Sequence, residues 1–600
     1  MNIPSFVCRS FALTLLAASP AVAVSHAAAA AAPAAASAKQ IWTQKLPGDA
    51  KWHQLTGLGT LLVGTDGALL SFNPEDGTLL WKRDDIAKTN IHNAREIAGT
   101  PILICNNLAG IGNSKVTFQA LDYLEGKTLW TAPQITGQYL DTIPVPSKNL
   151  VIFVVNTTEG SESGIFLFAH DLSTGERKWA TKFAKGNAIP LHLADNSGRF
   201  MPTMDLSGYH EPVIDGDEMY LGYLGVHCVD LVAGKVKWGI EFPPGNKGLK
   251  KTYAPLRIVG DRIYGAGGGS VYAIDRRSGQ QLWKSERISE YAGLLKARNN
   301  AIVSQLEIVG DKIFARFGGN FSNGQAVQLA EPLGVVVLSA ADGKDLFQAK
   351  GIEAGLTNLM VLPETNTVMF ADGKDLVGLD SAAAVPTETF RVPIEFKRKM
   401  GGGDVAKIGL GLTGGLMGVA KATMSSSKSR LDVPVAIVRQ SGHIVVQGKQ
   451  HLLGFDPQAK SEKWSLFYGA PSDAFATIAM FAVTAAASLQ GNAQVAQNGS
   501  ILTSGGQEGM QNIQSALDRY NRYTEKRAGQ MAQASSTAAY TYILTKVGKG
   551  DIGLYGVNLT TGETDRELAL GSKEPDYMAD ESTGRIFYFK GKDSVVAYQF

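Results

Sequence analysis

Short apolar runs separated by turn residues recur along most of the chain and read as β-strands. The runs come in pairs, as in Arg262–Ala266 and Ser270–Ile274, and each pair leads into a turn of fixed spacing. An Asp or Asn is followed four residues later by Gly, and four residues after that by Trp. Copies stand at Asn73-Gly77-Trp81, Asp122-Gly126-Trp130, Asp171-Gly175-Trp179, Asp230-Gly234-Trp238 and Asp275-Gly279-Trp283. Ser339-Gly343-Phe347, Asp456-Lys460-Trp464 and Asn558-Gly562-Arg566 are variants. Asp380-Ala384-Glu388 is recognisable only by its flanks.

Each part of the unit has a physical role. The Asx side chain caps backbone N–H groups of the turn, and Gly supplies a positive φ. The Trp on the following strand fills the space between stacked sheets. One such meander cannot bury both of its faces, so the units must stack. Ser594–Ala597 matches Ser270–Ala273, with Gln599 at the turn position. The strand expected next is found as Gln40-Ile41-Trp42. The N-terminal strand is therefore expected to complete the last unit and close a ring, which removes exposed sheet edges.

The strand–Asp-x-x-x-Gly–Leu-Trp unit resembles the pyrroloquinoline-quinone (PQQ) type of repeat. That repeat occurs in quinoprotein dehydrogenases and in the non-catalytic outer-membrane assembly lipoprotein family. The resemblance implies an all-β, closed PQQ-type β-propeller over residues 39–600. Eight blades are the family expectation; ten signatures are counted here, the split one included.

Two stretches interrupt the pattern. Residues 396–431 form a Gly-rich insertion with basic flanks, including Lys397-Arg398-Lys399. It reads as a surface loop or as a finger touching a partner or lipid headgroups. Residues 471–538 read as a helical hairpin. Ser472–Leu489 is Ala-rich and apolar, and Met510, Ile513, Leu517 and Tyr520 form one stripe at helical spacing. The apolar segment is shorter than the roughly 20 residues of a membrane span.

Before the repeats, residues 1–23 read as a signal peptide: Arg9, the apolar stretch Phe11–Ala18, and the cleavage candidate Ala21-Val22-Ala23. Cleavage as late as Ala38 is the alternative, with residues 24–38 an Ala/Pro tether. The expected location is periplasmic or outer-envelope. A formal net charge of +2 across 600 residues gives no field for steering nucleic acid.

Candidate chemistry is sparse. Cys105 and Cys228 lie in apolar runs and read as small buried hydrophobes, although export would permit a disulfide. His53, His92, His170, His192, His210, His227, His443 and His451 show no metal-ligand spacing. Asp215-Gly216-Asp217 reads as an inter-strand turn. The adjacent cysteines that the resemblance would place over PQQ are absent. No catalytic, cofactor-binding or metal-binding residue is therefore nominated, and no cofactor is expected.

The expected function is a non-catalytic, monomeric propeller that binds other envelope proteins, with the 471–538 arm as one contact. One alternative is an oxidoreductase holding PQQ with Ca²⁺, or another quinone or small ligand, in the propeller funnel. Another is a sugar- or peptide-binding envelope protein.

Overall fold

The computed structural model describes residues 35–600, apart from 186–211, 243–253, 397–433, most of 470–539 and several shorter loop positions. The expected signal peptide, the Gly-rich insertion beyond Phe396 and nearly all of the expected helical hairpin lie outside the described residues.

The described residues are strands joined by turns, with three short 3-10 turns. They form eight four-stranded sheets, one eight-stranded sheet and a two-stranded hairpin. The eight-stranded sheet is two consecutive repeat units joined where Ile135 and Thr136 pair with Val116 and Lys115. Numbered along the chain, the units are sheet 1 (residues 50–83), sheet 2 (94–131), sheet 3 (135–184), sheet 4 (213–241), sheet 5 (257–284), sheet 6 (303–352), sheet 7 (360–393), sheet 8 (436–467), sheet 9 (540–569) and sheet 10 (577–599). This is an all-β, propeller-like fold.

The N-terminal segment serves two sheets. Ala36 and Ser37 run parallel to Arg566 and Glu567 on the outer strand of sheet 9. Lys39–Lys45 then pairs antiparallel with Ser594–Gln599, placing Trp42 opposite Ala597, and supplies the fourth strand of sheet 10.

The core is divided among the sheet-to-sheet seams. Each sheet packs on the next through its own apolar cluster, from the first seam (Leu62, Trp81, Leu103, Tyr123) through to the ninth (Tyr540, Leu554, Ile586, Tyr588). A tenth cluster joins sheet 10 to sheet 1: Trp42, Phe587 and Phe589 lie with Leu61, Val63 and Phe72. The alternation of each strand explains this division. In Lys312–Ser322, Ile313 and Ala315 face sheet 5, whereas Phe314 faces sheet 7.

One signature needs correction. In the other sheets the last residue of the signature sits opposite a fixed position of the preceding strand, as Trp81 does with Ser71 and Trp130 with Ala120. In sheet 7 the residue in that register is Phe390, opposite Gly378, and not Glu388. The turn is two residues longer: Asp380 N–H donates to Thr387 O, whereas Asp122 N–H donates to Lys127 O.

Candidate functional site

The repeated turn is where sequence, backbone conformation and packing meet. The carboxylate or amide oxygen accepts N–H groups of the next residues, as Asp230 does from Val232 at 2.9 Å and Ala233 at 2.7 Å. The Gly N–H returns to the Asx carbonyl, and Gly126 holds φ +69°. That turn is the docking surface for the Trp of the preceding sheet. A Cβ on Gly126 would lie 2.6 Å from Trp81, and one on Gly234 would lie 2.3 Å from Trp179. The indole N–H then donates to a carbonyl of the same turn: Trp81 to Tyr123 O at 2.8 Å, Trp130 to Leu172 O at 2.8 Å, Trp179 to Leu231 O at 3.0 Å.

The variants follow the same logic across neighbours. Trp42, Trp81, Trp130, Trp179, Trp238, Trp283 and Trp464 each stand against a turn glycine of the following sheet. Where a sheet lacks the Trp, its successor lacks the glycine. Phe347 is followed by the longer turn of sheet 7, and Phe390 by Lys460 at φ +53°. Lys460 Nζ lies 5.8 Å from the Phe390 ring centre. Arg566 replaces the third Trp and stacks 3.5 Å from the Tyr540 ring centre; its successor, sheet 10, receives its last strand from Lys39–Lys45 and so has no turn there.

The first strands of the sheets and the residues flanking them carry a second, polar set of links. His53 Nε2 contacts Asp576 at 2.9 Å, and the His53 ring stacks on Phe589 at 3.9 Å. Glu96 accepts the Gly57 N–H, and burial holds its carboxyl above the usual range. Arg95 donates to Thr142 O at 2.7 Å, and Arg257 pairs with Glu307 at 3.0 Å. Two amides make reciprocal backbone bonds: Gln305 with Leu359 N–H and O, and Asn358 with Ile437 N–H and O. These groups are spent on holding neighbouring sheets together. Apart from His53, sequence reading did not single these groups out, because a polar residue in or beside a strand reads as solvent-facing.

Several of the singled-out residues have packing or hydrogen-bond partners where they are described. Cys105 and Cys228 are free and buried, in different seams. Burial pushes the Cys105 thiol up to about 12 and Cys228 to about 11, the reverse of what a nucleophilic thiol needs. His170 bonds Gly175 O, His443 bonds Leu559 O, and His451 stacks on Phe396. His92, His192 and His210 lie outside the described residues. Gly216, at φ +62°, turns the chain between two strands. Among the described residues no group of three His, Cys, Asp or Glu is placed to hold a metal ion, and no helix is long and apolar enough to cross a membrane.

What faces outward differs in kind. Ile111, at the tip of the hairpin formed by Ile102–Ala109 and Lys115–Asp122, is 97 % exposed. Leu79, Leu282 and Phe467 stand exposed on fourth strands.

A family described as outer membrane protein assembly factor BamB matches residues 16–238 and 167–358, together more than half of the chain. The chain belongs to the BamB family. The matched region ends just past sheet 6, where the regular alternation of Trp and turn glycine first lapses at Phe347. Among solved structures, BamB from Moraxella catarrhalis is similar at 12 % identity and a TM-score of 0.32, over 70 % of this chain and 97 % of that one. A chain of a mitotic checkpoint complex is similar at 11 % identity and a TM-score of 0.28, over 61 % of this chain and 96 % of that one. No curated protein matches.

Proposed function

We propose that this BamB-family chain is an exported, non-catalytic scaffold that binds other proteins of the cell envelope, and that its ten sheets form one closed propeller ring. Ring closure is supported by the strand Lys39–Lys45 in sheet 10 and by the cluster joining sheet 10 to sheet 1. The scaffold reading is carried by family membership. Ile111, exposed at the tip of a hairpin, is a position from which such contacts can be probed. The proposed partners are envelope proteins concerned with outer-membrane assembly, reached through such hairpins and through residues 471–538. No cofactor is required.

The test is photo-cross-linking in the envelope from position 111, with the exposed, polar Lys127 as the control position. Discrete protein adducts from 111 but not from 127 are expected. No adducts from 111, together with saturable binding of PQQ plus Ca²⁺ by the purified protein, would replace the scaffold by the quinone-dependent reading. N-terminal sequencing of the mature protein tests export, with a start after Ala23 or Ala38 expected.

A further inference from the structure

One side chain is at odds with its surroundings. Arg316 stands on the strand Lys312–Ser322, opposite Gln305, and reaches into the seam between sheets 6 and 7. It is 3 % exposed. Nη1 donates to Ser304 Oγ at 3.1 Å and Nη2 to Leu356 O at 2.7 Å. Nε is buried and has no acceptor among the described residues. Both acceptors are neutral, and no carboxylate pairs with this guanidinium among the described residues. Arg391 shows the contrast, with Glu388, Asp375 and Asp372 around it.

Burial brings the Arg316 pKa down to about 10, which leaves it charged at neutral pH. A buried charge with no counter-ion among the described residues costs several kcal/mol, and a buried donor without an acceptor among them adds to that. Neighbouring polar groups do not relieve it. The Ser304 hydroxyl donates to Gly318 O, and the Thr357 hydroxyl donates to Asn358 O while accepting the Ala371 N–H. The seam is also the first to lack a Trp–glycine dock, since Phe347 stands in the Trp position. The ordinary packing rule is therefore already relaxed where the charge sits.

We propose that Arg316 is the cationic end of an oxyanion subsite in the seam between sheets 6 and 7, taking one carboxylate or phosphate group. A guanidinium with an unused Nε–H offers a directional, charge-assisted bond to such a group. The subsite is independent of the scaffold reading: it concerns a small anion, and its failure would leave protein binding untouched.

The experiment is titration of the purified mature protein with inorganic phosphate and, separately, with acetate, against sodium chloride at matched ionic strength. Thermal stability and ³¹P line broadening are the readouts. Saturable stabilisation by phosphate assigns a phosphate-type ligand, and by acetate a carboxylate-type ligand. Arg316→Gln should weaken that binding by about tenfold or more, the scale of one lost charge-assisted bond, while Arg316→Lys should retain part of it. The absence of saturable binding to the wild-type protein overturns the proposal, whether or not Arg316→Gln folds. Equal binding by Arg316→Gln and wild type overturns it as well.

Discussion

Trp42 stands on Gly77: a Cβ on that glycine would lie 2.7 Å from the indole, whose N–H donates to Pro74 O at 3.0 Å. Trp42 belongs to the strand that completes sheet 10, and Gly77 to the turn of sheet 1. The contact repeated between successive sheets along the chain thus recurs between its two ends.

If the indole docks carry the seams, Trp81→Ala should cost about 3–5 kcal/mol, the range for deleting a large buried aromatic. Trp81→Phe should cost less, but should still leave Tyr123 O without the indole donor. Urea unfolding of both variants measures the two parts. An unchanged midpoint for Trp81→Ala would remove the dock from the account.

Two glycines separate backbone strain from docking. Gly126 (φ +69°) faces Trp81, whereas Gly216 (φ +62°) has nothing within 4 Å of an added Cβ. Gly216→Ala should cost only the left-handed penalty of roughly 1–2 kcal/mol. Gly126→Ala should add an overpacking cost of about 1–3 kcal/mol. Equal melting temperatures for the two variants would contradict the docking role.

Sheets 7 and 8 offer a reconstruction. Phe390→Trp alone should destabilise, because Lys460 occupies the place of a turn glycine. Lys460→Gly alone loses the cation over the ring while relieving a left-handed backbone. Together they should restore the ordinary dock, with a favourable coupling of about 0.5–3 kcal/mol in a double-mutant cycle. Simple additivity would show that the two positions are not linked.

Acid should dissolve the turn caps. Backbone and side-chain donors of Ser278 hold the Asp275 carboxyl below its usual 3.8. A carboxylate with a lowered folded pKa contributes stability that is present above its unfolded value and lost as pH falls through the folded one. The stability gap between wild type and Asp275→Ala should therefore be widest above about pH 4 and close on further acidification. A gap that is constant with pH would mean that the charge is irrelevant to the cap.

The repeat made much of this fold legible, since Asp, Gly and Trp at fixed spacing each have a local job in turn or strand. The split closing unit was legible too, because Gln40-Ile41-Trp42 lacks strands of its own. Phe390 was not, because two extra turn residues move the aromatic off the spacing that identifies it. Arg316, Gln305 and Asn358 were hidden for a different reason. In or beside a strand their polarity signals solvent, and only the neighbouring sheet shows that they point into a seam. The pairing of each missing Trp with a missing glycine one unit later was present in the sequence as a signal between repeats.

The central claim, that the N-terminal strand joins the two ends of the repeat array, is tested most directly by hydrogen exchange on the full mature chain and on one beginning at residue 46. The account predicts that truncation strips protection from Ser594–Gln599 and from the Asn73–Gly77 turn, while Arg262–Gly267 and Ser270–Asp275 in sheet 5 keep theirs. Unchanged protection at both chain ends would contradict it.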